Sequence, residues 1–151
     1  MKMATKTYHS KVTWTGEKVR SIAEAKGKKY IIDEPKDLGG TDLGPNPVEY
    51  ILGALGGCIN VLVVTFAKKF DVEVKDLYVE IEGDLDSDGF LGKNTTVRPG
   101  YEEIRYKVHL ESPSKLENIK ALLSHVDRVC PVKDTLQGTI LKNKTKSIVI
   151  S

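Results

Sequence analysis

Two residues in this chain stand out for chemistry, Cys58 and Cys130. A thiolate sulfur attacks a hydroperoxide and becomes a sulfenic acid, and a second thiol then condenses with it to a disulfide. Cys58 lies inside a long apolar segment, where a small buried core residue is the alternative to a reactive thiol. Cys130 precedes Pro131, and proline favours the first position of a helix. That places Cys130 at a helix N-cap, where unpaired N–H groups and the helix dipole favour a thiolate. By this reasoning alone Cys130 is the more acidic thiol; its alternative is a packed turn residue.

The chemistry also needs a cation. Arg20, Arg98, Arg105 and Arg128 are available, and a guanidinium beside sulfur lowers the thiol pKa while a carboxylate orients it through a bidentate pair. Cys58, Cys130, His109 and His125 offer four ligands for a metal in principle, but no pair has the close spacing of a zinc site, so neither metal nor cofactor is expected. Ser124, His125 and Asp127 lack the context of a nucleophile elbow. Gly53, Gly56 and Gly57 fall within a helix rather than between strand and helix, which argues against a phosphate loop.

The elements that must position these residues follow from periodicity. Thr7 to Trp14, Val19 to Ala25 and Lys29 to Asp33 read as strands separated at Gly16 and Gly27. A loop from Pro35 to Pro47 carries three glycines and three prolines. Asn46 caps the next segment and Pro47 opens it as a helix running to Ala67. Its apolar residues lie on every side, so it must be buried in protein or lipid. Glu49 and Asn60 interrupt the run, and amphipathic strands elsewhere need a helix to pack on. A central core helix is therefore expected, not a membrane span.

Leu77 to Glu82 and Ile104 to Leu110 alternate as strands, the second with Ile104, Tyr106, Val108 and Leu110 on one face. Asp84 to Gly100 reads as an exposed loop. Ser114 with Glu117 matches a capping box for a helix whose stripe is Leu116, Ile119, Leu122, Leu123 and Val126. A short turn after Pro131 runs to Gln137 and stops at Gly138. Thr139 to Leu141 and Ser147 to Ile150 are the closing strands. This order indicates one α+β domain over residues 1–151, with largely antiparallel sheets around a buried central helix.

The 151 residues have a formal charge of only +2 with both signs interspersed, a weak footprint for nucleic acid. Met1 to Ser10 lacks the apolar core of a signal peptide. A cytoplasmic location is expected, where a permanent structural disulfide is disfavoured.

The segments Asn46-Pro47-Val48-Glu49-Tyr50 through Gly56-Gly57-Cys58, and Val129-Cys130-Pro131-Val132, resemble the OsmC/Ohr family, nearest its OsmC-like branch. The resemblance follows the whole chain in element order. It implies an intertwined homodimer with sites at the subunit interface. It also implies reduction of organic hydroperoxides and turnover by a dithiol reductant of the lipoyl type. Carried over, Cys58 is the peroxidatic cysteine and Cys130 the resolving one, the reverse of the capping argument. The family's glutamate follows its proline directly, whereas here Val48 intervenes before Glu49, a rotation of about 100° on a helix. The family's arginine comes from the N-terminal strands or the following loop; that loop has no arginine here, and Arg20 is the nearest candidate. These departures support a second expectation, a dimeric scaffold that binds an apolar or electrophilic small molecule without peroxide turnover. A third leaves both cysteines as inert core thiols.

Overall fold

The computed structural model describes residues 4–136 and 140–144. The chain forms two compact units, dividing after Ile51.

In the first unit, β1 (Lys11–Trp14), β2 (Ser21–Ala25) and β3 (Lys28–Ile32) form an antiparallel meander. Lys26 and Gly27 both have positive φ, the requirement of a tight two-residue hairpin turn that matches strand twist. The first strand begins at Lys11 rather than at Thr7. The Trp14 indole N–H donates to the Lys18 carbonyl at 2.8 Å and closes the β1–β2 connection. Only Ala23 among the residues of this sheet is buried. Val12, Trp14 and Tyr30 are exposed.

The loop after β3 is ordered by Asp33, which is 1% exposed. Its carboxylate accepts the Thr41 hydroxyl at 2.5 Å and the backbone N–H groups of Glu34, Thr41 and Leu43. Burial works against this charge, yet these donors hold the carboxyl well below the usual carboxylate range. Gly40 lets the loop close: a Cβ there would sit 1.7 Å from the Glu34 carbonyl oxygen.

Helix α1 spans Pro47–Ala67. The Asn46 Oδ1 accepts the Glu49 N–H and the Glu49 carboxylate accepts the Asn46 N–H, both at 2.9 Å. This reciprocal capping satisfies two of the groups that a helix start leaves unpaired. A 3-10 turn, Lys68–Phe70, follows.

In the second unit, β4 (Asp76–Asp84) leads through a loop containing α2 (Ser87–Phe90) to β5 (Glu103–Glu111). Then come α3 (Leu116–Val129), α4 (Pro131–Thr135) and β6 (Ile140–Asn143). β4 and β5 pair antiparallel with Glu80 opposite Lys107, and β6 joins β5 in parallel. Among the described residues β6 is thus the exception to an otherwise antiparallel scheme. The expected turn end at Gln137–Gly138, Thr139, and the expected strand Ser147–Ile150 lie outside the described residues.

The core is built as the alternation requires. Ile104, Tyr106, Val108 and Leu110 are all buried on one face of β5. Ile119, Leu122 and Val126 of α3 are buried, as are Leu55, Ile59, Val63 and Ala67 of α1. Each fully buried side chain of this size contributes about 1.5–3 kcal/mol as an upper estimate. Gly56 brings α1 down on β4, since a Cβ there would lie 2.7 Å from the Ile81 Cδ1. The opposite face of the sheet is polar: Arg105 pairs with Glu82, Asp84 and Glu103, and His109 pairs with Glu80 and stacks on Tyr78.

Two expectations are revised. Burial of α1 on all sides is met on one stripe only, at four-residue spacing; Ile51, Val61 and Val64 are exposed. The helix with its terminal turn is long and apolar enough to cross a membrane by length and composition alone. The capping box at Ser114 does not form: α3 is preceded by Lys115, which makes no side-chain cap. The Ser114 hydroxyl instead accepts the Glu73 N–H at 2.8 Å, a tertiary bond that local spacing does not reveal.

Replacing Asn46 by Ala removes the α1 cap and is expected to lower stability by about 1 kcal/mol, read as a lower urea midpoint. In the intact chain the contribution of Asp33 is present above the unfolded carboxyl value near ~3.9 and fades as pH falls below it. The difference in urea midpoint between the natural chain and Asp33→Asn should therefore be largest near neutrality and shrink on acidification.

Candidate functional site

Pro131 has no N–H to continue α3, so α3 ends at Val129 and a new short helix begins. Cys130 occupies the joint with φ −68° and ψ 111°, outside helical geometry, and its sulfur accepts the Lys133 N–H at 3.4 Å. The predicted N-cap role of Cys130 is therefore realised. Cys130 is 2% exposed.

Cys58 stands one residue before Ile59 of the buried stripe of α1 and is partly exposed. The Cys130 sulfur and the Val132 N–H are the neighbours that act on its thiol. Both cysteines are free thiols. Residues 72 positions apart in sequence thus become neighbours at the start of α4, whose Lys133 N–H bonds the Cys130 sulfur. Burial pushes the Cys58 thiol up, the Val132 N–H opposes this, and the adjoining Cys130 sulfur adds to the rise. The balance is upward, so a peroxidatic thiolate at Cys58 needs a positive group beyond those that now touch it.

Arg20 and Glu49 belong to the first unit. The Arg20 guanidinium donates to Thr41 Oγ1 at 3.0 Å and pairs with Glu17 at 2.5 Å. Through Thr41 it is tied to the Asp33 loop. The Glu49 carboxylate serves the α1 cap. Of the other arginines, Arg105 is held by its three carboxylates, Arg128 contacts His125 Nδ1 at 3.0 Å, and Arg98 lies in the β4–β5 loop. The histidines weighed as ligands are also separated by their contacts. His109 is engaged by Glu80 and Tyr78, while the His125 ring packs on Phe66 and Phe70. Among the described residues no three ligating side chains converge.

Sequence reasoning missed a polar group behind Cys130. A cavity of about 160 Å³ has Ile59, Val108 and Val126 on its apolar side and Cys130 in its wall. Its polar side holds Tyr106, Asp127 and Lys133. The Tyr106 hydroxyl donates to the Asp127 carboxylate. Lys133 Nζ meets the same carboxylate oxygen at 2.6 Å and the Asp127 carbonyl at 3.4 Å. Burial raises the Asp127 carboxyl, but Lys133 and Tyr106 outweigh it and the net direction is down. The Tyr106 phenol is pushed up by burial, by Asp127 and by the charge at Cys130. No sequence signal marks these residues together, since they come from a strand and two helices.

An α+β chain that brings two free thiols to a Cys-Pro helix start defines a class of paired-thiol protein. A family model described as OsmC-like protein matches residues 39–142, more than half of the chain, and the protein belongs to that family. The solved OsmC-like protein of Mycoplasma pneumoniae is similar over 97% of this chain and 99% of its own, at 21% identity and a TM-score of 0.82. An OsmC-like protein of unknown function from Vibrio cholerae aligns over 96% and 100%, at 13% identity and 0.77. A Legionella pneumophila structure described as an organic hydroperoxide resistance protein OsmC aligns over 99% of both chains, at 18% identity and 0.65. These likenesses show the fold. No curated protein sequence matches the chain.

The upward push on Cys58 has a direct consequence. In Cys130→Ala the sulfur that contributes to it is gone, and the pH at which Cys58 reaches half its maximal alkylation rate should fall below that of the natural chain.

Proposed function

We propose that the chain is a thiol-dependent peroxidase that reduces organic hydroperoxides through Cys58 and Cys130. The observation that carries this reading is that two free thiols are interacting neighbours, with the Lys133 N–H bonded to the Cys130 sulfur. Family membership supports it, as do relatives described as organic hydroperoxide resistance proteins.

The Cys58 thiolate attacks the distal peroxide oxygen. The S–O bond forms, the O–O bond breaks, and the alkoxide takes a proton to leave as an alcohol. Cys130 then attacks the sulfenyl sulfur of Cys58. The S–S bond forms, the S–O bond breaks, and the hydroxyl departs with the Cys130 proton as water. A dithiol reductant of the lipoyl type returns the pair to thiols by exchange. Arg20 is the proposed cation that lowers the Cys58 pKa, and Glu49 the proposed acid that orients it, both on the strength of the family resemblance. To serve, the Arg20 guanidinium must exchange Glu17 for sulfur and Glu49 must share its capping carboxylate.

A homodimer fits the apolar surface left on each unit taken by itself. Val61 and Val64 of α1 are 64% and 62% exposed, and Trp14 is 63% exposed. A second copy covers such surface without lipid. The thiol pair suits a reducing cytoplasm.

The scaffold reading has its own observation: burial raises Cys58, and Arg20 and Glu49 are engaged by their own neighbours. Steady-state consumption of cumene hydroperoxide and hydrogen peroxide with dihydrolipoate separates the two. The peroxidase reading expects turnover favouring the organic peroxide, abolished in Cys58→Ser and reduced at least about tenfold in Arg20→Met. Glu49→Gln keeps a carbonyl for the Asn46 N–H, so α1 should hold while turnover falls; full activity in this variant would make Glu49 a capping residue only. No consumption of either peroxide by the reduced protein favours the scaffold.

A further inference from the structure

The corner that holds Cys130 is closed by a charge pair that has no part in the two-thiol scheme above. Lys133 contributes twice. Its backbone N–H bonds the Cys130 sulfur at 3.4 Å, and its ammonium reaches back over the corner to the carboxylate of Asp127 at 2.6 Å and to the Asp127 carbonyl at 3.4 Å. Asp127 lies in the last turn of α3, three residues before Cys130, and its carboxylate is anchored to the sheet by the Tyr106 hydroxyl. One ion pair thus joins α3, α4 and β5 around a single sulfur.

We propose that Asp127 and Lys133 are positioning residues for Cys130, a charge-balanced pair that fixes its sulfur toward Cys58 and sets how readily it gives up its proton in the resolving step. The proposal rests on the resolving role given to Cys130 above. Neither residue touches the peroxide.

The groups around Cys130 define the sign of each perturbation. Cys58 faces it from α1. Tyr106 of β5, Lys120 and Asp127 of α3, Lys133 of α4 and Asn143 of β6 line the cavity that Cys130 walls. Asp127 and Lys133 together add no net charge to this surrounding. Removing the carboxylate in Asp127→Asn leaves the ammonium uncompensated and favours the thiolate. Removing the ammonium in Lys133→Met leaves the carboxylate uncompensated and favours the thiol. A purely structural brace would loosen in both variants and move the titration of Cys130 the same way.

The test uses the full chain in a Cys58→Ser background, so that one thiol titrates and no peroxide chemistry is needed. Thiolate absorbance near ~240 nm is followed against pH, as the difference from the Cys58→Ser/Cys130→Ser protein to remove the tyrosines. The expected midpoint falls by about one pH unit in Asp127→Asn and rises by about one in Lys133→Met. It returns close to the starting value in the double substitution. Lys133→Arg and Asp127→Glu keep the charges and should keep the midpoint, which holds the test open should a neutral variant fold poorly. Shifts of the same sign in both neutral variants, no shift in either, or a double variant no nearer the starting value would overturn the proposal. Because no turnover is measured, absence of peroxidase activity and failure of this charge pair are separate results.

Discussion

Proline at position 131 ends one helix and starts another, and the site follows from that interruption. A proline inside α3 would lose a backbone hydrogen bond and clash with the preceding turn, so the chain bends at Cys130 and α4 begins with its N–H groups unspent. Val132 and Lys133 direct theirs at Cys58 and Cys130. Without the break, Cys130 would be one more residue of an amphipathic helix. With it, a sulfur that is nearly inaccessible still has a polar environment and a thiol neighbour.

The same bend explains how a charged pair comes to lie beside a buried sulfur. A short helix of five residues has little stability of its own. Its attachment comes from the Lys133–Asp127 pair and the Tyr106 hydroxyl. The pair is partly exposed and adds little to stability; its proposed service is to hold the arrangement of the two thiols. α1 supplies the other half. Its buried stripe from Leu55 to Ala67 sets its rotation on the sheet, and that rotation gives Cys58 its direction. Val61 and Val64 of α1 stay exposed, which is where the proposed second copy would act.

Most of the element order was legible because it rests on short-range rules. The alternation from Ile104 to Leu110, the Asn46-Pro47 helix start and the Cys130-Pro131 cap each depend on residues within a turn of one another. Asn46 as a cap was legible, whereas the engagement of Glu49 in the same cap was not, because the family resemblance gives that acid a chemical role. What escaped was tertiary. Ser114 carries the residues of a capping box, yet its hydroxyl is taken by the Glu73 N–H. Asp33, an ordinary acid at a strand end, is the centre of the loop that carries Arg20's partner Thr41. Asp127 and Lys133 are six residues apart, a spacing that no single helix would pair, and only the bend at Cys130 lets them meet.

The central claim is that Cys58 and Cys130 are a redox couple, and the intact mass of the reduced protein after a stoichiometric addition of cumene hydroperoxide tests it most directly. The account predicts loss of two hydrogen atoms per chain, reversed by a dithiol, with Cys130→Ser gaining one oxygen instead and Cys58→Ser unchanged. An unchanged mass with both thiols still titratable after exposure to the peroxide would contradict it.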